Sequence, residues 1–353
     1  MRTGDVRAEL WSAVIDGDEY AAVDLLHAAL GKGLDEESLL LDVIAPVQHR
    51  VGSEWAADRI TVAQEHAATA INERAMAALA HRRTSPGQRP PERGRLTVSC
   101  VDGEWHAFPA RLLAETLRLR GWQVDFLGAR TPTAHLIAHL HHTDPDAVLL
   151  SSSLPVHLPA AHTAITACQA VGVPVMAGGR AFGADGRHAL ALGADQWAPD
   201  ARGAATALEA GLTRPTPAAI RQVTDDLPHL ADQEYTLVTQ SRARLVTRTL
   251  ADLAERFPAV RAYDEAQRER TAEDIAHIVD FLAAALYTDD ADVFTDFLVW
   301  TADVLTARKV PAPALTAGLD VIAARLPDFP RALALLEQGA AALHARHVPG
   351  PRT

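Results

Sequence analysis

Apolar positions recur at helical spacing from residue 5 to residue 80. Val6 to Asp16 and Glu19 to Gly31 show it, Glu36 to Gly52 continues it, and Thr61 to His81 is alanine-rich with Glu65, His66 and Arg74 interspersed. Gly17-Asp18 and Gly31-Lys32-Gly33 supply stops. Four helices joined by short loops predict a four-helix bundle over residues 1–82.

The period then changes twice. His81 to Arg95, with Pro86-Gly87, Pro90-Pro91 and Gly94, holds neither the helical nor the strand period, so residues 83–95 read as a linker. From Leu96 to about Asp200 the two periods alternate. Leu96–Val101, Gln123–Leu127, Ala147–Ser151 and Val173–Met176 are strand-like, while Ala110–Arg120, Ala134–His142 and Leu158–Val171 are helical. This alternation predicts a Rossmann-like parallel sheet over residues 96–212, binding ligands at the carboxyl ends of its strands. A second break at Arg214-Pro215-Thr216-Pro217 precedes an all-α tail, residues 218–347, of about six helices. These include Tyr235–Phe257, Thr271–Tyr287, Asp290–Ala307, Ala312–Arg325 and Arg331–Arg346. The expected fold class is multidomain, α and α/β.

Composition narrows the chemistry. A chain of 353 residues, 48% hydrophobic and 22% charged, has room for two or three folded domains. No apolar run approaches the roughly 20 residues that cross a bilayer, and no charged-then-apolar signal opens the chain, so a cytoplasmic protein off the membrane is expected. The formal charge of -12 argues against direct DNA binding, which needs a basic face. Lys32 and Lys309 are the only lysines. Cys100 and Cys168 lack metal-ligand spacing and read as buried reduced thiols.

The strand ends carry the candidate chemistry. After the first strand comes Asp102-Gly103-Glu104-Trp105-His106; after the third, Ser151-Ser152-Ser153-Leu154; after the fourth, Gly178-Gly179. A carboxylate that holds one imidazole nitrogen leaves the other for a metal, so Glu104 and His106 form a candidate metal-ligand pair. Glycine lets the backbone approach a ligand closely, since no Cβ intervenes.

In this chain order the three features resemble the cobalamin-binding domain of corrinoid proteins. The resemblance implies that His106 replaces the cofactor's own benzimidazole beneath cobalt and that Glu104 orients it. It further implies that Ser151, Ser153, Gly178 and Gly179 line the path of the displaced nucleotide tail. Pro109 stands where the family's loop has glycine.

The bundle sharpens the resemblance. Trp55, nine residues, then Glu65-His66 is similar to the cap of adenosylcobalamin-dependent photoreceptors. There the tryptophan and the Glu-His pair cover the upper face and its adenosyl group: an indole packs on adenosine, and a carboxylate accepts from ribose hydroxyls. Ala56 takes the place of a histidine that some members use for a bis-histidine adduct, so that adduct is not expected from this position. Those photoreceptors commonly carry a helix-turn-helix domain ahead of the bundle. Here the bundle starts close to Met1, and a different output is expected.

The tail segment Asp274 to Tyr287, followed by Phe294, Phe297 and Trp300, resembles globin-like or phycobiliprotein-like sensor domains. Joined to the cap and the sheet, it looks like the photocobilins, which hold adenosylcobalamin and a bilin. The resemblance implies biliverdin as second chromophore, with His277, Tyr287, Trp300 and Arg244, or Arg242, as candidate contacts. No cysteine follows Cys168, which argues against a thioether link in the tail. A homo-oligomer and an unidentified downstream protein are the expected partners.

Two alternatives share parts of this pattern. A corrinoid methyl carrier has the bundle, the axial histidine and the sheet; a B12 photoreceptor whose tail only dimerises or binds a partner has all of the cobalamin chemistry. An enzyme is not expected, because adenosylcobalamin mutases hold their substrate in a separate barrel that no region here is patterned to form.

Overall fold

A computed structural model describes residues 2–82, 93–212, 232–256, 261–310 and 313–347. Both expected linkers lie largely outside these residues, as do 218–231 at the start of the tail. By internal contacts the chain forms two compact units. The first comprises 1–153 and 160–220; the second comprises 221–353 together with 154–159. Bundle and sheet both lie in the first unit.

Helices α1 (Thr3–Ile15), α2 (Glu19–Gly31), α3 (Ala45–Ala56) and α4 (Val62–Arg82) form the bundle. Asp18 caps α2 by accepting from the Ala21 N–H at 2.9 Å. The stretch leading into α3 departs from regular α-helix: a short turn, Glu36–Ser38, passes into a π-helical segment, Leu39–Ile44. Pro46 has no N–H to give to the Asp42 carbonyl one turn back, and Arg7 Nε donates to that oxygen instead, at 3.1 Å. Leu39, Leu40, Val43 and Ile44 are all buried there, a crowding that the 3.6-residue period does not anticipate.

The sheet strands are β1 (Arg95–Cys100), β2 (Gln123–Gly128), β3 (Ala147–Ser151), β4 (Val175–Gly178) and β5 (Gln196–Ala198), all parallel in the order β2-β1-β3-β4-β5. Between them run α5 (Ala107–Leu119), α6 (Thr133–Thr143), α7 (Leu158–Ala170) and α8 (Arg187–Ala191), and α9 (Ala201–Ala210) follows β5. β3 is buried at every position, as expected for a strand covered on both faces. The order reverses between β1 and β3, which is where such sheets open a crevice for ligands.

Two kinds of contact join sheet to bundle. Phe108 and Leu112 of α5 complete the bundle's apolar core. Arg120 grips Glu37 through two nitrogens at 2.7 and 3.0 Å, and Arg202 grips Asp42 at 3.0 and 2.8 Å and reaches Glu37 at 3.2 Å. Hydrogen bonds from these guanidinium groups hold the Glu37 and Asp42 carboxyls below their usual range.

In the second unit α10 (Glu234–Arg256), α11 (Glu265–Thr288), α12 (Ala291–Ala307), α13 (Pro313–Ala323) and α14 (Pro330–His347) share one core, which Val156 also joins. Asp264 and Gln267 form a capping box at the start of α11. The buried Glu234 carboxylate accepts from the Arg331 and Ala332 N–H groups at 3.0 and 2.8 Å, fastening the first turn of α14. No helix among the described residues is long and apolar enough to cross a membrane.

Candidate functional site

The loop after β1 is built around one carboxylate. Glu104 is fully buried. Its Oε1 accepts from the His106 backbone N–H at 2.9 Å and lies 2.6 Å from His106 Nδ1. Its Oε2 accepts from the Ser153 N–H at 2.7 Å and from Ser152 Oγ at 3.3 Å. Burial alone would raise the Glu104 pKa, but the donors from His106 and Ser153 outweigh it and hold the group at about 2. Glu104 is thus an anion that ties the β1 loop to the β3 loop across the point where the sheet order reverses.

This arrangement dictates the tautomer of His106. With Glu104 holding Nδ1, the proton sits between them and Nε2 keeps its lone pair. Nε2 has no hydrogen-bond partner among the described residues, and the side chain is 33% exposed. Trp105 stacks on the same ring with centroids 3.7 Å apart. One imidazole supplies one ligand, so a metal held through Nε2 brings its other ligands with it, as a macrocycle-bound ion does.

Pro109 fits because it falls in the first turn of α5, where a missing N–H leaves nothing unsatisfied. The turn after β4 is pressed against the serine loop. Gly179 has φ +103, and a Cβ built there would stand 2.3 Å from the Ser152 carbonyl oxygen. The same oxygen accepts from the Ala181 N–H at 3.2 Å. The three serines at the end of β3 differ in their surroundings. Ser151 lies within β3 and is 6% exposed, Ser153 acts through its backbone, and Ser152 is the one whose hydroxyl meets Glu104.

At the bundle end, Trp55 closes α3 and Glu65-His66 opens α4, so the short link between the helices places the three at one end of the bundle. Glu65 Oε2 lies 2.5 Å from His66 Nδ1. Its Oε1 accepts from Thr69 Oγ1 at 2.9 Å; Thr69 accepts from Gln48 Nε2 at 2.7 Å; Gln48 Oε1 accepts from the buried Asn72 amide at 2.8 Å. A hydrogen-bonded chain from the bundle core therefore orients the Glu65 carboxylate. Thr69→Val removes its middle link and is expected to cost about 1 kcal/mol in urea unfolding while loosening the Glu65 side chain, read as increased local amide exchange in α4.

Cys100 and Cys168 are buried free thiols, each pushed up to about 12 by burial, with the Glu104 charge adding to the effect at Cys100. Both stay protonated at neutral pH, in keeping with inert core residues.

The tail candidates are spread over three helices, α10, α11 and α12. His277 and Tyr287 are ten positions apart on α11, roughly 15 Å along its axis. His277 is exposed; Tyr287 is buried edge-on to Tyr235, with ring centroids 4.8 Å apart. Burial raises the Tyr287 phenol pKa. Trp300 is 45% exposed, Arg244 bonds Ser241 Oγ at 2.9 Å, and Arg242 is engaged by Asp280. Phe281 and Phe297 stack at 3.8 Å, joining α11 to α12.

Residues 6–80 match one protein family described as a B12 binding domain, and residues 94–209 match a second with the same description. The HTH-type transcriptional repressor CarA of Myxococcus xanthus is 30% identical over 155 residues, 41% of this chain and 47% of its own. The chain thus spans about half the length of this curated relative. Among solved structures, the monomethylamine corrinoid protein of Methanosarcina barkeri is 20% identical, with 59% of this chain and 100% of that chain covered and a TM-score of 0.49. A cobalamin-binding protein from Desulfitobacterium hafniense DCB-2 is 19% identical, with 58% and 98% covered and a TM-score of 0.31. An imidazole one-third exposed, whose Nε2 has no hydrogen-bond partner among the described residues, fits a corrinoid, which would bring the metal's remaining ligands with it.

Proposed function

We propose that this B12-binding protein, whose bundle and sheet domain are both B12-binding domains, is a non-enzymatic light sensor that holds adenosylcobalamin. His106, kept in the Nδ1–H tautomer by Glu104, would hold the cobalt through Nε2, and Trp55, Glu65 and His66 would cover the adenosyl group. Adenosylcobalamin, when bound, supplies a cobalt–carbon bond that visible light cleaves. The protein's part is to exclude water from that face and to register the loss of the adenosyl group as a change in the cap. The observation that carries the reading is the Asn72–Gln48–Thr69–Glu65 chain, which preorganises a carboxylate in the first turn of α4. A methyl group offers such a carboxylate no hydroxyl to accept from, so the chain favours adenosylcobalamin over a methylated corrinoid.

The reading extends to the second unit, to which we assign a non-covalent bilin, biliverdin. What supports it is the resemblance of the Asp274–Trp300 segment to globin-like or phycobiliprotein-like sensor domains, with Trp300 exposed on α12. Without a bilin, the same helices serve as a dimerisation or partner surface. The output we assign is a conformational or oligomeric change passed to another protein.

Full-length protein loaded with adenosylcobalamin in the dark and then illuminated with green light is expected to change its cobalamin spectrum. A spectrum unchanged by light sinks the light-sensing reading. Biliverdin added to the same protein is expected to give red-shifted absorbance that survives size exclusion; its loss on the column removes the bilin and leaves the cobalamin reading standing.

A further inference from the structure

The sheet domain leaves few of its arginines idle. Arg93, Arg95, Arg111, Arg118, Arg120 and Arg202 each face a carboxylate. Arg130 and Arg180 differ: among the described residues neither side chain has a hydrogen-bond or ion-pair partner. Both stand just beyond the carboxyl ends of their strands, β2 and β4, beside the loops that hold Glu104 and His106. In an acidic chain where six sheet-domain guanidinium groups meet carboxylates, two idle cations at the ligand-binding edge point to an anionic group on the ligand.

Arg180 is the better placed of the two. It lies between Gly179, whose backbone is pressed onto Ser152, and Ala181, whose N–H donates to the Ser152 carbonyl at 3.2 Å. Ser152 in turn donates to Glu104. The base of the Arg180 side chain is therefore fixed against the serine loop, on the β3–β4 side of the point where the strand order reverses, and the residue is exposed. Arg130 lies on the other side of β1. It is held at φ 58 and donates its backbone N–H to the Glu104 carbonyl at 3.2 Å, a role that supports the loop through the main chain.

Cobalamin carries one fixed negative charge on its periphery, the phosphodiester of its nucleotide tail. With His106 as the cobalt's ligand, the tail's base would not hold the metal, and its phosphodiester would be free to meet the sheet edge. We propose that Arg180 pairs with this phosphodiester, so that the site selects corrinoids that carry a nucleotide tail over those that lack one. A guanidinium meets two phosphate oxygens at once, which a lysine does not. The proposal rests on cobalamin being the ligand.

The test compares aquocobalamin with diaquocobinamide, which has the same ring and no nucleotide tail, by absorbance titration of the full-length protein. Wild-type protein is expected to bind cobalamin more tightly than cobinamide. Arg180→Ala is expected to weaken cobalamin binding on the order of tenfold and to leave cobinamide unchanged; Arg180→Lys is expected to retain part of the preference. Wild-type cobalamin affinity is expected to fall with added salt more steeply than that of Arg180→Ala. Equal cobalamin affinity in wild type and Arg180→Ala overturns the proposal. So does an equal loss of both corrinoids, which makes Arg180 a support of the turn instead. Arg130→Ala is expected to move both corrinoids in parallel; an Arg130→Ala protein that alone loses the preference overturns the assignment by shifting it to Arg130. Wild-type protein that binds neither corrinoid removes the cobalamin premise, and with it the proposal, a result distinct from all the others.

Discussion

Glu104→Gln is expected to weaken cobalamin binding by roughly ten- to a hundredfold, although glutamine matches glutamate in size. The carboxylate serves two sets of donors with two oxygens: His106 at Oε1, and Ser152 and Ser153 at Oε2. An amide has one oxygen. Whichever set it serves, its NH2 faces the other, and a buried backbone N–H of His106 or Ser153 loses its acceptor. If the amide turns its oxygen to Ser153, its NH2 meets Nδ1 and reverses the imidazole tautomer, taking the lone pair from Nε2. Titration with aquocobalamin reads the loss, and an affinity within twofold of wild type would contradict the role given to Glu104.

The same substitution carries a pH signature in the apoprotein. Glu104 is held at about 2 when folded, against an ordinary value of 4.5. A depressed carboxyl contributes stability in full above its unfolded pKa and loses it as pH falls toward the folded one. At neutral pH that contribution is about 3 kcal/mol. Urea unfolding is expected to show wild-type stability declining between pH 4.5 and about 2, with a shallower decline in Glu104→Gln. Parallel declines in the two proteins would place the pH dependence elsewhere.

Gly179→Ala is expected to destabilise the protein on the order of 3 kcal/mol, far beyond an ordinary loop substitution. Two costs add. A residue with a Cβ resists φ +103, and that Cβ would stand 2.3 Å from the Ser152 carbonyl oxygen and 3.0 Å from its carbonyl carbon. Because these are backbone atoms, no side chain can rotate away. The serine loop has to shift, and Ser152 and Ser153 carry Glu104 with them. The expected outcome is a lowered melting temperature together with weakened corrinoid binding. By contrast, Gly172→Ala also replaces a positive-φ glycine, φ +82, but meets nothing within 4 Å, so it bears the backbone cost alone. Equal losses in the two variants would show that conformation, and not the contact with Ser152, sets the cost at Gly179.

Much of this was open to reading in the residues. The Glu104-x-His106 pair and the Glu65-His66 pair are local, within a loop or a turn, and local chemistry survives in sequence spacing. The helices of the bundle and the first four strands also declare themselves, since burial on one stripe or on both faces imposes a period. β5 did not, because three residues, Gln196–Ala198, are too few to show one. The π-helical segment Leu39–Ile44 was hidden because its four buried apolar residues do not follow the 3.6-residue period, and the Arg7 contact to the Asp42 carbonyl spans 35 positions.

The residues alone were enough to show an imidazole backed by a carboxylate at the end of a parallel strand, and a Trp, nine residues and a Glu-His pair within a helical bundle. Which groups hold those residues in place was decided only by the tertiary structure. Ser152 and Ser153 reach Glu104 across 48 and 49 positions, and Gln48 reaches Thr69 and Asn72 across 21 and 24. Hydrogen bonds fix an orientation over about 3 Å, and no one-dimensional period records which distant segments the folded chain brings within that distance.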